Sequence, residues 1–179
     1  MPFWNPATDY RLTYRARAAT GGGILLDAIH EFDYLRWIFG EIAEVFCTTA
    51  SVGGFEIDVE DLAEVTLRFA SGPIVQLHLD YLQRSYRRDC EVIGERGVIV
   101  WDYIRRDVAV FSEEPDRWQG YRDPIDANHN EMYVEEMRHF VRCIDGQEPP
   151  LIDGYEALSA LRLVAAARTS AARGQWVTP

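Results

Sequence analysis

At 179 residues, 47% of them apolar and 12% aromatic, the chain has the size of about one domain and the material for a core, which excludes intrinsic disorder. A net charge of −11, from 18 basic and 29 acidic residues, argues against nucleic acid or an anionic membrane as a partner. Three widely spaced cysteines (Cys47, Cys90, Cys143), no signal peptide and no long apolar run are the features expected of a soluble, cytoplasmic protein with reduced thiols. Residues 1–20 carry two prolines and then Asp9-Tyr10-Arg11, and read as loop with a short strand. Gly21-Gly22-Gly23 break whatever precedes them. A helical pattern follows at once and stops at Gly40. Leu25, Ala28, Ile29, Phe32, Leu35 and Phe39 share one stripe that would face a core. Asp27, His30 and Tyr34, at i, i+3 and i+7, form a polar stripe that is either a reacting site or a wet surface.

Residues 42–51 are rich in Val, Phe, Thr and Cys and predict a strand. Residues 64–69 and 75–81 alternate apolar and polar around the turn Ser71-Gly72-Pro73, so they predict a hairpin with one buried face. Residues 89–93 turn through Gly94-Glu95-Arg96-Gly97 into 98–102, and 108–111 follow. Residues 113–127 are polar with two prolines and read as loop. Asn128-x-x-Glu131 resembles a capping box, after which Tyr133, Met137, Phe140, Val141 and Ile144 make an apolar stripe that ends at Gly146. Asp153-x-x-Glu156 opens an alanine-rich helix that stops at Gly174, and Trp176-Val177 add an edge strand. A helix, a meander of strands and two further helices predict an α+β fold in one domain, residues 1–179: an open-faced, mostly antiparallel β-sheet with helices packed on one face. The free face would show Glu64, Thr66, Arg68, Gln76, His78 and Asp80.

The run GGGILLDAIHEFDYLRWIFG resembles the signature helix that opens the C-terminal domain of Gfo/Idh/MocA-type oxidoreductases, and the likeness extends from Trp4 to about Val177. The resemblance implies a parent enzyme that moves a hydride between NAD or NADP and a sugar, polyol or related hydroxy compound. It also implies that the open sheet face is where subunits of a homo-oligomer meet. That family places a Rossmann domain ahead of the helix and takes its catalytic lysine from it. The thirteen glycines here include no G-x-G-x-x-G, and every basic residue is arginine. The chain is therefore expected to be a C-terminal domain alone, binding no cofactor and incompetent in catalysis by itself. The alternative is a stand-alone, non-enzymatic sugar-binding or assembly module.

His30 stands at the family's histidine position, where an imidazole suits exchange of the hydroxyl proton. Asp27 precedes it by three residues where the common spacing is four; the resemblance implies a catalytic aspartate beside the histidine, and the residue reads equally as an acid favoured by the helix dipole. Tyr86 and Arg87, flanked by Arg84 and Arg88, fall where relatives place substrate contacts. Arginine there would suit a carboxylate or phosphate, though a charged strand start on the surface is the better reading. Tyr133 matches a position near the sugar, yet its phase puts it on the core stripe as a packed aromatic. Tyr10 and Arg11 lie in the segment entering the domain. No metal site is expected: His139 and Cys143 share a helix face at i, i+4, but nothing else is spaced to join them.

Overall fold

The computed structural model describes residues 6–114, 116–122 and 130–179. Three 3-10 turns (Tyr10–Leu12, Tyr14–Ala16, Ala18–Thr20) lead into α1 (Ile24–Asp27) and α2 (Ile29–Phe39), then β1 (Ile42–Ala50), β2 (Leu62–Phe69) and β3 (Ile74–Asp80). β4 (Asp89–Gly94), β5 (Gly97–Asp102), β6 (Asp107–Ser112) and β7 (Arg117–Arg122) follow, with α3 (Asn130–Ile144) and α4 (Gly154–Arg173) last. The fold is α+β and its strands pair antiparallel, but they form two sheets, β1-β2-β3 and β4-β5-β6-β7. The chain correspondingly divides into two compact units, Met1–Arg84 with Ile152–Pro179, and Ser85–Leu151.

In the first unit the predicted alternation is realised. Ala63, Val65, Leu67 and Leu79 turn inward, and Glu64, Thr66, Arg68, Gln76 and His78 turn outward. The inward residues meet Leu25, Phe32 and Leu35 of α1 and α2 and Leu163, Val164 and Ala167 of α4. Each of the larger fully buried side chains contributes roughly 1.5–3 kcal/mol. α4 begins on Asp153, whose carboxylate accepts from the amides of Tyr155 and Glu156 at 2.8 and 3.0 Å. Near its other end the buried Ser170 hydroxyl accepts from Cys47 N–H and donates to the Gln175 carbonyl, fixing α4 against β1. Val177 adds a single bridge to Val45, not a full strand.

On the outer face His78 lies between Glu64 (2.6 Å) and Asp80 (2.9 Å). Partial burial works against its charge, but the bonds to Glu64 and then Asp80 outweigh it and hold its pKa above the ordinary imidazole value.

The second unit is a four-stranded meander in which Cys90–Trp101–Val108–Tyr121 and Ile93–Val98–Phe111–Trp118 run across the sheet as registered rows. The rows start three residues apart on β4, so they occupy opposite faces, and both are apolar. β7 corrects the expectation of a loop over 113–127. Its residues are all exposed and, among the described residues, pair only with β6, so no buried face imprints an alternation on them. The apolar stripe of α3 corrects a second expectation: no residue of this helix is buried, and Tyr133 is 56% exposed. Asn128 of the expected capping box lies outside the described residues.

Candidate active site

The glycine run is held in place by the segment before it and by the loop after β1. Gly23 has φ +105 and ψ 150, a conformation that only glycine adopts without strain, and its N–H donates to the Arg15 carbonyl at 3.1 Å. A Cβ on Gly22 would lie 2.5 Å from the Arg15 carbonyl oxygen, so the side-chain-free backbone lets the Tyr14–Ala16 turn sit directly against it. The Glu60 carboxylate accepts from Leu25 N–H (3.2 Å), and Arg168 donates to the Gly22 carbonyl (2.9 Å). The segment over residues 10–20, expected as loop with a strand, is instead a chain of 3-10 turns, the first capped by Asp9.

The expected single helix is interrupted at Ala28 (φ −102, ψ 25), which separates Asp27 at the end of α1 from His30 in the first turn of α2. Their side chains have different partners. Asp27, with its side chain 7% exposed, accepts from the Tyr14 hydroxyl at 2.7 Å and from Arg15 Nε at 2.8 Å on both oxygens. The hydrogen bond to Asp27, with some burial, raises the Tyr14 phenol pKa. Tyr81, fully buried beside the same carboxylate, is raised chiefly by burial and then by the Asp27 charge. Asp27 thus ties the turn segment and β3's end to the glycine helix. Spacing did not reveal Tyr14, Arg15 or Tyr81, because tertiary folding alone brings them to Asp27.

His30 stands out from this knot, its side chain 55% exposed, with Nε2 3.0 Å from Oε1 of the nearly buried Glu31. When Nε2 carries the proton it donates to Glu31 and leaves Nδ1 as a free proton acceptor. Sequence reasoning passed over Glu31, since neighbours at i, i+1 do not face each other along a regular helix. Tyr34, the third member of the polar stripe, packs against the core.

The remaining candidates are scattered. Tyr10 packs edge-on against Phe55 and its hydroxyl accepts from Glu56 N–H. Arg11 is fully engaged, by Asp9 through Nε and Nη2 (2.7 Å) and by Glu56 through Nη1 (3.2 Å). In the second unit Tyr86 is exposed and meets Tyr103 edge-on, while Arg87 forms a two-point pair with Asp89 at 2.6 and 3.1 Å. On α3 and the loop after it, His139, Cys143 and Glu148 bring donor atoms within 4.8 Å of one another. Glu148 is the third group that the spacing did not supply; the turn at Gly146 (φ +70) carries it back to the helix.

Residues 3–178 match the model of the oxidoreductase family, C-terminal alpha/beta domain. The chain is 36% identical to myo-inositol 2-dehydrogenase of Thermotoga maritima over 159 residues, 83% of this chain and 47% of that protein. Among solved structures it resembles GenD2 from gentamicin A biosynthesis, in complex with NAD, with a TM-score of 0.75, 27% identity, and coverage of 93% of this chain and 51% of that one. Levoglucosan dehydrogenase with NADH and levoglucosan has the same fold, with a TM-score of 0.82 at 21% identity, and coverage of 95% of this chain and 54% of that one. The chain spans about half the length of each.

Proposed function

Because the chain belongs to the Gfo/Idh/MocA oxidoreductase family, as its C-terminal alpha/beta domain, we propose that it is the substrate-binding and oligomerisation half of a nicotinamide-dependent enzyme that oxidises or reduces a sugar, polyol or related hydroxy compound. The observation that carries this reading is an exposed imidazole at the family's histidine position, oriented by Glu31, in a chain 36% identical to a myo-inositol dehydrogenase. A nicotinamide nucleotide, when bound by the parent enzyme, would supply or take up the hydride. His30 exchanges the proton of the reacting hydroxyl through Nδ1, and Glu31 stabilises the imidazolium that forms. Asp27 positions the start of this helix. Tyr10, in the same compact unit as His30, is a contact candidate for the sugar. Arg11 and Arg87 are already matched by carboxylates, which disfavours an anionic group as a partner for either. Joining a nucleotide-binding domain of a polyol-oxidising relative ahead of Met1 tests the proposal: NAD-dependent oxidation of myo-inositol or another polyol is expected. A folded fusion that binds NADH and turns over no polyol would refute it.

The proposal extends to the nucleotide: this chain alone is expected to bind none. The dinucleotide crevice is built on parallel βαβ units, and the pairs formed here are antiparallel. Calorimetric titration with NADH and NADPH is therefore expected to show no stoichiometric binding tighter than roughly 100 μM, about −5.5 kcal/mol. Tighter binding would mean that this chain carries a nucleotide site.

Assembly is proposed to occur through an open sheet face as an isologous pair. The outer face of the first sheet is polar. On the second sheet Ile93 and Trp118, exposed by 77% and 56%, gain most from being covered. Light scattering coupled to size exclusion should show a dimer or larger at micromolar concentration, reduced to monomer by Ile93→Glu with Trp118→Glu. A wild-type monomer at high micromolar concentration would count against the pairing.

A further inference from the structure

α3 and the loop behind it place a thiol, an imidazole and a carboxylate in contact order, and we propose that Cys143 is a reversible thiol-modification site whose proton passes to His139. Cys143 Sγ lies 3.5 Å from His139 Nε2, and His139 Nδ1 lies 2.6 Å from Glu148 Oε1. This is the arrangement of a nucleophile, a base and the group that orients the base. Arg142, one residue before the cysteine, donates to the same Glu148 oxygen at 2.7 Å. The bonds from Arg142 and then His139 hold the Glu148 carboxyl below its usual pKa, so it stays anionic to support an imidazolium. The turn is fixed by the backbone: Gly146 N–H donates to the Cys143 carbonyl and Gln147 N–H to the Arg142 carbonyl.

The other two thiols lie on strands. Cys47 is buried in the first unit's core, and burial pushes its pKa up to about 12. Cys90 sits in β4, paired in register with Trp101. Cys143 is half-buried on a helix with no fully buried residue. A divalent cation is a poorer occupant of the cluster. It would have to share Glu148 with the Arg142 guanidinium and compete with the Leu151 N–H, which donates to His139 Nε2 at 3.1 Å. The Leu151 N–H must likewise leave Nε2 before the imidazole takes up the thiol proton there.

The reaction partner is a low-molecular-weight disulfide, RSSR. Cys143 Sγ gives its proton to His139 and attacks one sulfur of RSSR. The S–S bond breaks, a Cys143–S–S–R bond forms, and RS− leaves and takes the proton as RSH. The protein thiol is oxidised, the added disulfide is reduced, and excess thiol reverses the step.

The test exposes the full chain to glutathione disulfide at neutral pH and maps the products by peptide mass spectrometry. Cys143 should be modified at least about tenfold faster than Cys90, with Cys47 unmodified and dithiothreitol restoring the thiol. His139→Gln and, separately, Glu148→Gln should bring Cys143 down to the rate of Cys90 while the circular dichroism spectrum stays that of wild type. The proposal fails if wild-type Cys143 reacts no faster than Cys90, a comparison that needs no variant. It fails equally if a folded His139→Gln chain reacts as fast as wild type. Protection of Cys143 by equimolar Zn2+ in the wild type, lost in Glu148→Gln, would overturn it in favour of a metal site.

Discussion

Replacing His30 with alanine in an enzyme completed by a nucleotide-binding domain should lower kcat by about 10²–10⁴-fold, the usual contribution of a positioned general acid–base group. The same change in this chain alone should leave stability within about 0.5 kcal/mol, as for most surface substitutions. The two outcomes belong together, because the geometry separates chemistry from packing at this residue. The imidazole is more than half exposed, is absent from the core cluster, and touches Glu31. Steady-state kinetics and urea denaturation read the two quantities independently. Unimpaired turnover without the imidazole would end the proton-exchange role. A His30→Ala chain that unfolds would make the histidine a packing residue instead. Glu31→Gln should lower kcat by less than His30→Ala, because it weakens the orientation of the base without removing it.

The strands of the first sheet were legible because one face is buried, so period-two alternation was imposed on Ala63, Val65 and Leu67 against Glu64, Thr66 and Arg68. β7 was illegible for the opposite reason. Arg117-Trp118-Gln119-Gly120-Tyr121-Arg122 has neither face buried and owes its strand to hydrogen bonding with β6. The apolar stripe on α3 is present as a stripe, but helical phase reports amphipathicity, and it says nothing about what covers the apolar side.

At the candidate site the division is finer. The glycines and His30 are legible as a motif. The break at Ala28 is not, since Leu25, Ala28, Phe32 and Leu35 are all buried and the stripe runs through the interruption unmarked. Asp27 and His30 therefore looked like one polar face, while the folded chain assigns them to different networks. The partners of Asp27 come from a turn segment and a strand end, and such long-range meetings leave no local signature.

That separation makes Asp27 the position with the largest expected effect on folding. Asp27→Ala should cost about 3 kcal/mol, the low end of the range for removing one side of a buried ion pair. The low end applies because Arg15, whose side chain is 41% exposed, can recover water, whereas the fully buried Tyr81 beside the carboxylate cannot. Asp27→Asn keeps the shape and an acceptor for the Tyr14 hydroxyl but loses the charge opposite Arg15. It should cost about 1–1.5 kcal/mol, near the net worth of a single hydrogen bond. Because the lost contacts join the 3-10 turns to the glycine helix, proteolytic cutting within residues 10–20 should accelerate in both variants, more in alanine than in asparagine. Urea midpoints at constant m-value give the free energies. An Asp27→Ala chain as stable as wild type would show that the carboxylate does not hold the segment. If Asp27→Asn instead kept wild-type stability yet lowered kcat of the completed enzyme as far as His30→Ala, the aspartate would belong to the proton-transfer machinery and its contacts to Tyr14 and Arg15 would be incidental.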